Sequence, residues 1–344
     1  MASATEHGSV VDLSALRGYL VEQGVAVVGD LRATMITGGR SNLTYKIQDD
    51  VSSWVLRRPP TGGLTPSAHD VGREYRIIDA LQTTPVPVAT TIANCTDATV
   101  IGAPFTIVEY VSGRVLRTQA DLLEISDAEL STIQSALVRV LVELHSVPYE
   151  EHGLASFGRP EGYVERQIGL WRRQWDHVAT RALPDIDRLH RSLEAAMPPP
   201  GRVTVVHGDF RVDNTLLDPQ QPERVVALVD WEMSTLGDPL TDVATMCAYQ
   251  SPEFDHVVGE PAAFTSPRWP GAASIAENYS SLTQADLSNF DFYLGLAYFK
   301  LAVIAEGITS RHLVGVGDGP GFATASEAVP GLVAAGLSAI GGSR

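Results

Sequence analysis

The eight residues His207-Gly208-Asp209-Phe210-Arg211-Val212-Asp213-Asn214 constrain this chain more than any other stretch. Short apolar, β-prone runs stand on either side of them, Val203 to Val206 and Val225 to Val229. The second run ends directly in Asp230-Trp231-Glu232. Taken singly, Asp209 reads as a turn residue and Asn214 as a loop cap. Those readings do not account for an Asn five places after the Asp, followed by an apolar strand that ends in a carboxylate. The polar motif therefore marks a place where short strands interrupt a helical region.

The chain around the motif divides into two textures. Leu13 to Val21 has the pattern of a short amphipathic helix, with Asp12 or Ser14 as its cap. Ala33 to Thr37, Leu43 to Ile47 and Ser53 to Arg57 read as strands, the first two joined through Gly38-Gly39-Arg40-Ser41-Asn42. A loop over residues 61–70 leads to a helix from Val71 to Leu81. Two more β-prone runs follow, Thr90 to Asn94 and Phe105 to Tyr110. Beyond Gly113 the apolar spacing is helical. Ser126 to Ser146 is a helix with a capping box of Ser126 and Glu129. Tyr163 to His177, Ile186 to Met197, Leu240 to Tyr249 and Phe290 to Ile308 are further helices. The expected architecture is α+β and two-lobed. A small β-rich lobe spans residues 1–111 and a larger, mainly α lobe residues 112–344, a length comfortable for two lobes.

Composition excludes several classes. With 44% hydrophobic and 19% charged residues, the chain can build a sizeable core. A net charge of −16 argues against a nucleic-acid partner. No run of about 18 apolar residues predicts a membrane span, and the N-terminus lacks the pattern of a secretory signal. Cys95 and Cys247 are expected as reduced thiols of a cytoplasmic protein rather than as a disulfide. Neither a P-loop, nor zinc-type Cys/His spacing, nor a G-x-S-x-G elbow occurs. Lysine is found only at Lys46 and Lys300 among 25 basic residues, so a cation that serves chemistry is expected to be arginine.

Moving a phosphoryl group from ATP needs a carboxylate near the attacking hydroxyl and oxygen ligands for Mg²⁺. Asp209, Asn214 and Asp230 supply that set. The spacing from His207 to Asn214 is that of the kinase catalytic loop H-x-D-x-x-x-x-N, and with Leu228-Val229-Asp230-Trp231-Glu232 it resembles the aminoglycoside phosphotransferase and choline kinase family. The resemblance runs from about residue 33 to residue 250, and more loosely to the end. It implies a protein-kinase-like fold and a small-molecule kinase. Asp209 would face the acceptor hydroxyl, and Asn214 and Asp230 would hold the metal. Gly38, Gly39, Arg40, Ser41 and Asn42 would cover the phosphates. Arg57 stands where such kinases commonly carry lysine, and Glu74 would be its partner, while Arg58 faces the other way. The Glu109 carbonyl and the Val111 amide would meet the adenine edge. Gly237-Asp238-Pro239-Leu240, with Asp242, would support the catalytic loop and cap the next helix. His207 would order that loop, and Glu232 would lie behind the metal. The helix bearing Trp171 and Trp175 reads either as acceptor lining or as a packed face.

The form HGDFRVDN resembles kinase-like domains fused to acyl-CoA dehydrogenases, which implies a hydroxyl on an acyl or other metabolic compound. An aminoglycoside is the other acceptor, and a nucleotide-binding pseudokinase is the alternative from another class. The expected partner is a small molecule with a hydroxyl. A homodimer is left open.

Overall fold

The computed structural model describes residues 11–36, 42–59, 70–317 and 319–342. Two compact units emerge. One is Met1–Ser112 with Asp230–Glu232, and the other is Gly113–Val229 with Met233–Arg344.

The first unit begins with helix α1 (Leu13–Glu22), capped by Asp12, whose side chain accepts from the Ser14 and Ala15 N–H groups. Strands β1 (Arg32–Met35), β2 (Leu43–Gln48) and β3 (Ser53–Arg58) precede helix α2 (Val71–Leu81), and β4 (Thr91–Cys95) and β5 (Phe105–Glu109) follow it. The five strands form one antiparallel sheet in the order β1-β2-β3-β5-β4. Alternation along β3 decides what each residue does. Trp54 and Leu56 join a buried cluster with Ile47, Phe105, Ile107 and the α1 residues Leu16 and Leu20. Val55 and Arg57 turn to the opposite face. Arg58 points back inward, 1% exposed, and donates to the Ile101 carbonyl at 3.1 Å.

The second unit is mainly helical: α3 (Asp127–His145), α4 (Tyr163–Val178) and α5 (Pro184–Ala195) come first. Next come β6 (Thr204–Val206), β7 (Thr215–Leu217), β8 (Val225–Leu228) and β9 (Thr235–Gly237), and then α6 (Leu240–Ala248), α7 (Phe254–Val258), α8 (Ala272–Thr283), α9 (Phe290–Leu313) and α10 (Ala325–Gly341). The capping box of Ser126 and Glu129 starts α3. The short strands pair as β6 with β9 and β7 with β8, both antiparallel. By length and composition α9 could cross a membrane, but 72% of its apolar window is buried within the protein.

Five of these elements go beyond the sequence reading: β7, β9, α7, α8 and α10. The last holds Pro330, which cannot donate to the Ser326 carbonyl one turn back. Arg181 supplies the missing donor, its Nη1 lying 3.2 Å from that carbonyl. Cys95 and Cys247 are buried free thiols. Gly38, Gly39, Arg40 and Ser41, and most of the loop over 61–70, lie outside the described residues.

Leu56 is fully buried on the central strand of the sheet. Leu56→Ala should lower unfolding stability by about 2–5 kcal/mol, read from urea denaturation followed by tryptophan fluorescence.

Candidate functional site

The motif loop leaves β6 and turns at Gly208. Its φ of +82° is glycine territory, and a Cβ there would sit 2.6 Å from the Met233 carbonyl oxygen. That turn directs two successive N–H groups inward. The Asp242 carboxylate, buried in the first turn of α6, accepts from both: His207 N at 2.6 Å and Gly208 N at 2.8 Å. His145 Nε2 lies 3.3 Å from the same carboxylate, and His145 Nδ1 lies 2.9 Å from the Tyr279 hydroxyl. Burial raises the Asp242 carboxyl, but hydrogen bonds and charge from His145 and His207 bring it below its ordinary value. Asp242 therefore holds the loop rather than capping α6. Asp238, next to the Pro239 N-cap, accepts from Leu240 N at 3.0 Å and from the Tyr293 hydroxyl at 2.7 Å.

His207 orders the loop further. Its Nδ1 accepts from the Asp209 N–H at 3.2 Å, so Nε2 carries the proton it donates to the Val229 carbonyl at 3.0 Å. The Asn214 amide nitrogen donates to the Asp209 carbonyl at 2.8 Å and to Asp209 Oδ2 at 3.0 Å. With the nitrogen so committed, the amide oxygen is the end left for a cation. The β7–β8 hairpin fixes this residue, and the Val229 N–H donates to the Asn214 carbonyl at 2.9 Å.

Asp209 sits among donors. Burial raises its carboxyl, but Arg211, Lys300, the Tyr249 hydroxyl and His207 together hold it below the ordinary carboxylate range. Tyr249 donates to Oδ1, and Arg211 Nε lies 3.5 Å from Oδ2. Lys300 donates to the Gly208 carbonyl, with Asp209 and Asp242 holding up an amine that burial lowers. Arg211 lies within the motif, and its spacing alone assigns it no role. Tyr249 and Lys300 were not identified as site residues. The rarity of lysine points the sequence expectation to arginine, yet Lys300, one of two lysines in the chain, reaches the Gly208 carbonyl.

In the first unit, Arg57 Nη1 lies 2.7 Å from Glu74 Oε2, and Arg57 Nη2 lies 3.6 Å from Asp230 Oδ1. Asn42, assigned from sequence to the phosphate-covering loop, donates its amide to Glu74 Oε1 at 3.0 Å. Asp230 has a φ of +67°, a left-handed conformation uncommon outside glycine and tolerated by Asp. The Glu74 carboxyl is pushed up to about 7, chiefly by burial, with Arg57 lowering it and Asp230 and Glu232 raising it. Glu109 ends β5, its side chain accepting from the Thr90 hydroxyl at 2.7 Å, and Val111 lies just beyond. No group of three or more His, Cys, Asp or Glu side chains suited to a metal occurs among the described residues. In the second unit Asn214 offers an amide oxygen, and in the first Asp230 offers a carboxylate oxygen, each a hard donor of the kind Mg²⁺ takes. Trp171 and Trp175 are both buried.

A family model described as the phosphotransferase enzyme family matches residues 32–273. Acyl-CoA dehydrogenase family member 11 of Gallus gallus is 36% identical over 295 residues, covering 83% of this chain and 38% of that one. Family member 10 of Mus musculus is 36% identical over 304 residues, covering 87% of this chain and 28% of that one. The chain thus spans less than half the length of these curated relatives. Among solved structures, a protein of Ralstonia eutropha JMP134, provisionally assigned as an aminoglycoside phosphotransferase, is 32% identical with a TM-score of 0.83, covering 97% of this chain and 99% of that one. A thermostable mutant of aminoglycoside phosphotransferase APH(4)-Ia, in ternary complex with AMP-PNP and hygromycin B, shares the fold at 13% identity and a TM-score of 0.61, covering 94% of this chain and 99% of that one.

Glu74 titrates higher in the folded protein, about 7, than its ordinary 4.5, so the native state binds the extra proton. Its contribution to stability is full below about pH 4.5 and is lost as pH rises through 7. Glu74→Gln should flatten that decline, by on the order of 3 kcal/mol across the interval, in melting temperatures measured from pH 5 to pH 8.

Proposed function

The chain belongs to the phosphotransferase enzyme family, and from that premise we propose that it is an ATP- and Mg²⁺-dependent kinase of a small-molecule hydroxyl. The observation that carries this reading is the Asp209 carboxylate hydrogen-bonded to the Asn214 amide, on a loop tied down by Asp242.

In this reading Asp209 accepts the acceptor's O–H proton as that oxygen bonds to the γ-phosphorus and the bond to ADP breaks. Arg57, oriented by Glu74, grips phosphate oxygens through its fork of donors. Asn214 and Asp230 are the residues to hold Mg²⁺, which offsets the negative charge of the phosphates when bound. Backbone groups of Glu109 and Val111 take the edge of adenine. ATP as donor agrees with the AMP-PNP and ADP held by structures of the same fold. The reading assigns the protein to the cytoplasm, without a nucleic-acid or membrane partner. A pseudokinase would have lost one of Asp209, Asn214 or Asp230, and all three are present.

A hydroxylated acyl compound fits the acceptor side better than an aminoglycoside. Apart from two glutamines, the cavity that Tyr249 and Arg211 line is otherwise apolar, with Leu137, Val212 and Trp269 among its walls, and no carboxylate lines it to meet a polyamine. The relatives named as acyl-CoA dehydrogenase family members support the same class.

With Mg-ATP and a panel of hydroxyacyl-CoA compounds, choline-like alcohols, sugars and aminoglycosides, phosphorylated product should form from a hydroxyacyl compound. Asp209→Ala should lower its turnover by about 10²- to 10⁴-fold while ATP still binds. Transfer that survives intact in this variant would overturn the assignment.

A further inference from the structure

Both oxygens of the Asp209 carboxylate are engaged within the chain. Oδ2 accepts from the Asn214 amide at 3.0 Å and lies 3.5 Å from Arg211 Nε. Oδ1 accepts the Tyr249 hydroxyl. The second contact is the unexpected one. A base that takes a proton from an alcohol needs an oxygen facing that alcohol's O–H, and Tyr249 presents an O–H of the same kind at that atom.

Tyr249 is held there firmly. It directly follows α6 and is 3% exposed, with its N–H donating to the Thr245 carbonyl at 3.0 Å. Its ring meets Phe254 edge-on at 4.8 Å and Phe264 at 5.4 Å, and the Arg211 guanidinium lies 5.2 Å from its centroid. Burial and the neighbouring Asp209 raise the phenol well above its ordinary value, so it stays protonated and acts as donor. Packing alone would be satisfied by phenylalanine. The hydroxyl is the surplus feature, and it is spent on the base. Asp209 keeps 14% of its side-chain exposure, so water can reach it. The same tyrosine ring walls the apolar cavity that also touches Leu137, Met246, Trp269 and Ile275.

We propose that Tyr249 is a specificity-determining positioning residue: its hydroxyl holds the acceptor's place on Asp209 and suppresses phosphoryl transfer to water. An alcohol with an apolar group beside its hydroxyl packs that group against this apolar wall and gains burial that water lacks, and that gain displaces the tyrosine hydroxyl from Oδ1. The proposal rests on the phosphotransferase reading. The step it suppresses is balanced as follows. A water oxygen bonds to the γ-phosphorus, the bond to the β-phosphate oxygen breaks, and a water proton passes to Asp209. ADP and inorganic phosphate are released.

The test is ADP release from Mg-ATP with water as the sole acceptor, in wild type, Tyr249→Phe, Asp209→Ala and the double variant. Phenylalanine keeps the ring contacts, and a thermal melt checks that the fold is retained. Tyr249→Phe should hydrolyse ATP roughly tenfold faster than wild type, the factor for removing one competing hydrogen bond to a charged group. Asp209→Ala should abolish the gain. A structural role for the hydroxyl predicts no change or a loss. Equal or slower hydrolysis in Tyr249→Phe, with Asp209→Ala still inactive, overturns the proposal and leaves the phosphotransferase reading standing. Hydrolysis that Asp209→Ala does not reduce in any background overturns both.

Discussion

The turn at Gly208 leaves two backbone N–H groups, those of His207 and Gly208, pointing into the protein interior, and the fully buried Asp242 carboxylate takes both. A buried charge is costly unless its lone pairs are met, and buried N–H groups without acceptors cost on the order of 1–3 kcal/mol each. Here the two problems solve one another. Hydrogen bonds to an ionised acceptor are the stronger kind, and His145 completes the arrangement from α3. Everything the loop presents follows from this anchor: the His207 ring that bonds the Asp209 N–H, the Asp209 carboxylate, and the Asn214 amide locked to it.

The side proposed to bind phosphate rests on a different balance. Arg57 satisfies part of the charge of Glu74, yet burial still lifts that carboxyl to about 7. Asn42 adds a neutral donor to the same carboxylate. An arginine whose fork spans Glu74 and reaches toward Asp230 differs from a lysine point charge, since its several donors can be shared between carboxylates and a phosphate. The left-handed backbone at Asp230 is a second local cost, of the sort that structures retain at working sites.

Much of this was legible in the sequence because spacing carries geometry. Alternation along β3 separated Arg57 from Arg58, and the capping box placed the start of α3. The strand-loop-strand pattern around HGDFRVDN located the loop. What escaped was set by tertiary contact. Tyr249 and Lys300 reach the loop from helical segments remote in sequence, and no local pattern aims a side chain at a distant carboxylate. The strands β7 (Thr-Leu-Leu) and β9 (Thr-Leu-Gly) hold none of the valines that mark the equally short β6. A proline and several glycines obscure α10, whose broken ladder is repaired by Arg181 from outside the helix.

If Asp242 is the anchor, weakening it should damage chemistry more than nucleotide binding. The direct measurement is Asp242→Asn, comparing ATP dissociation constant with the initial rate of phosphoryl transfer from Mg-ATP, after a thermal melt shows a folded protein. An amide can replace one acceptor but presents a donor to the other N–H, so the loop shifts. The account predicts transfer reduced by about a hundredfold, the cost of a displacement near 1 Å at the reacting groups, with ATP affinity little changed. Transfer at the wild-type rate in a folded Asp242→Asn protein would contradict it.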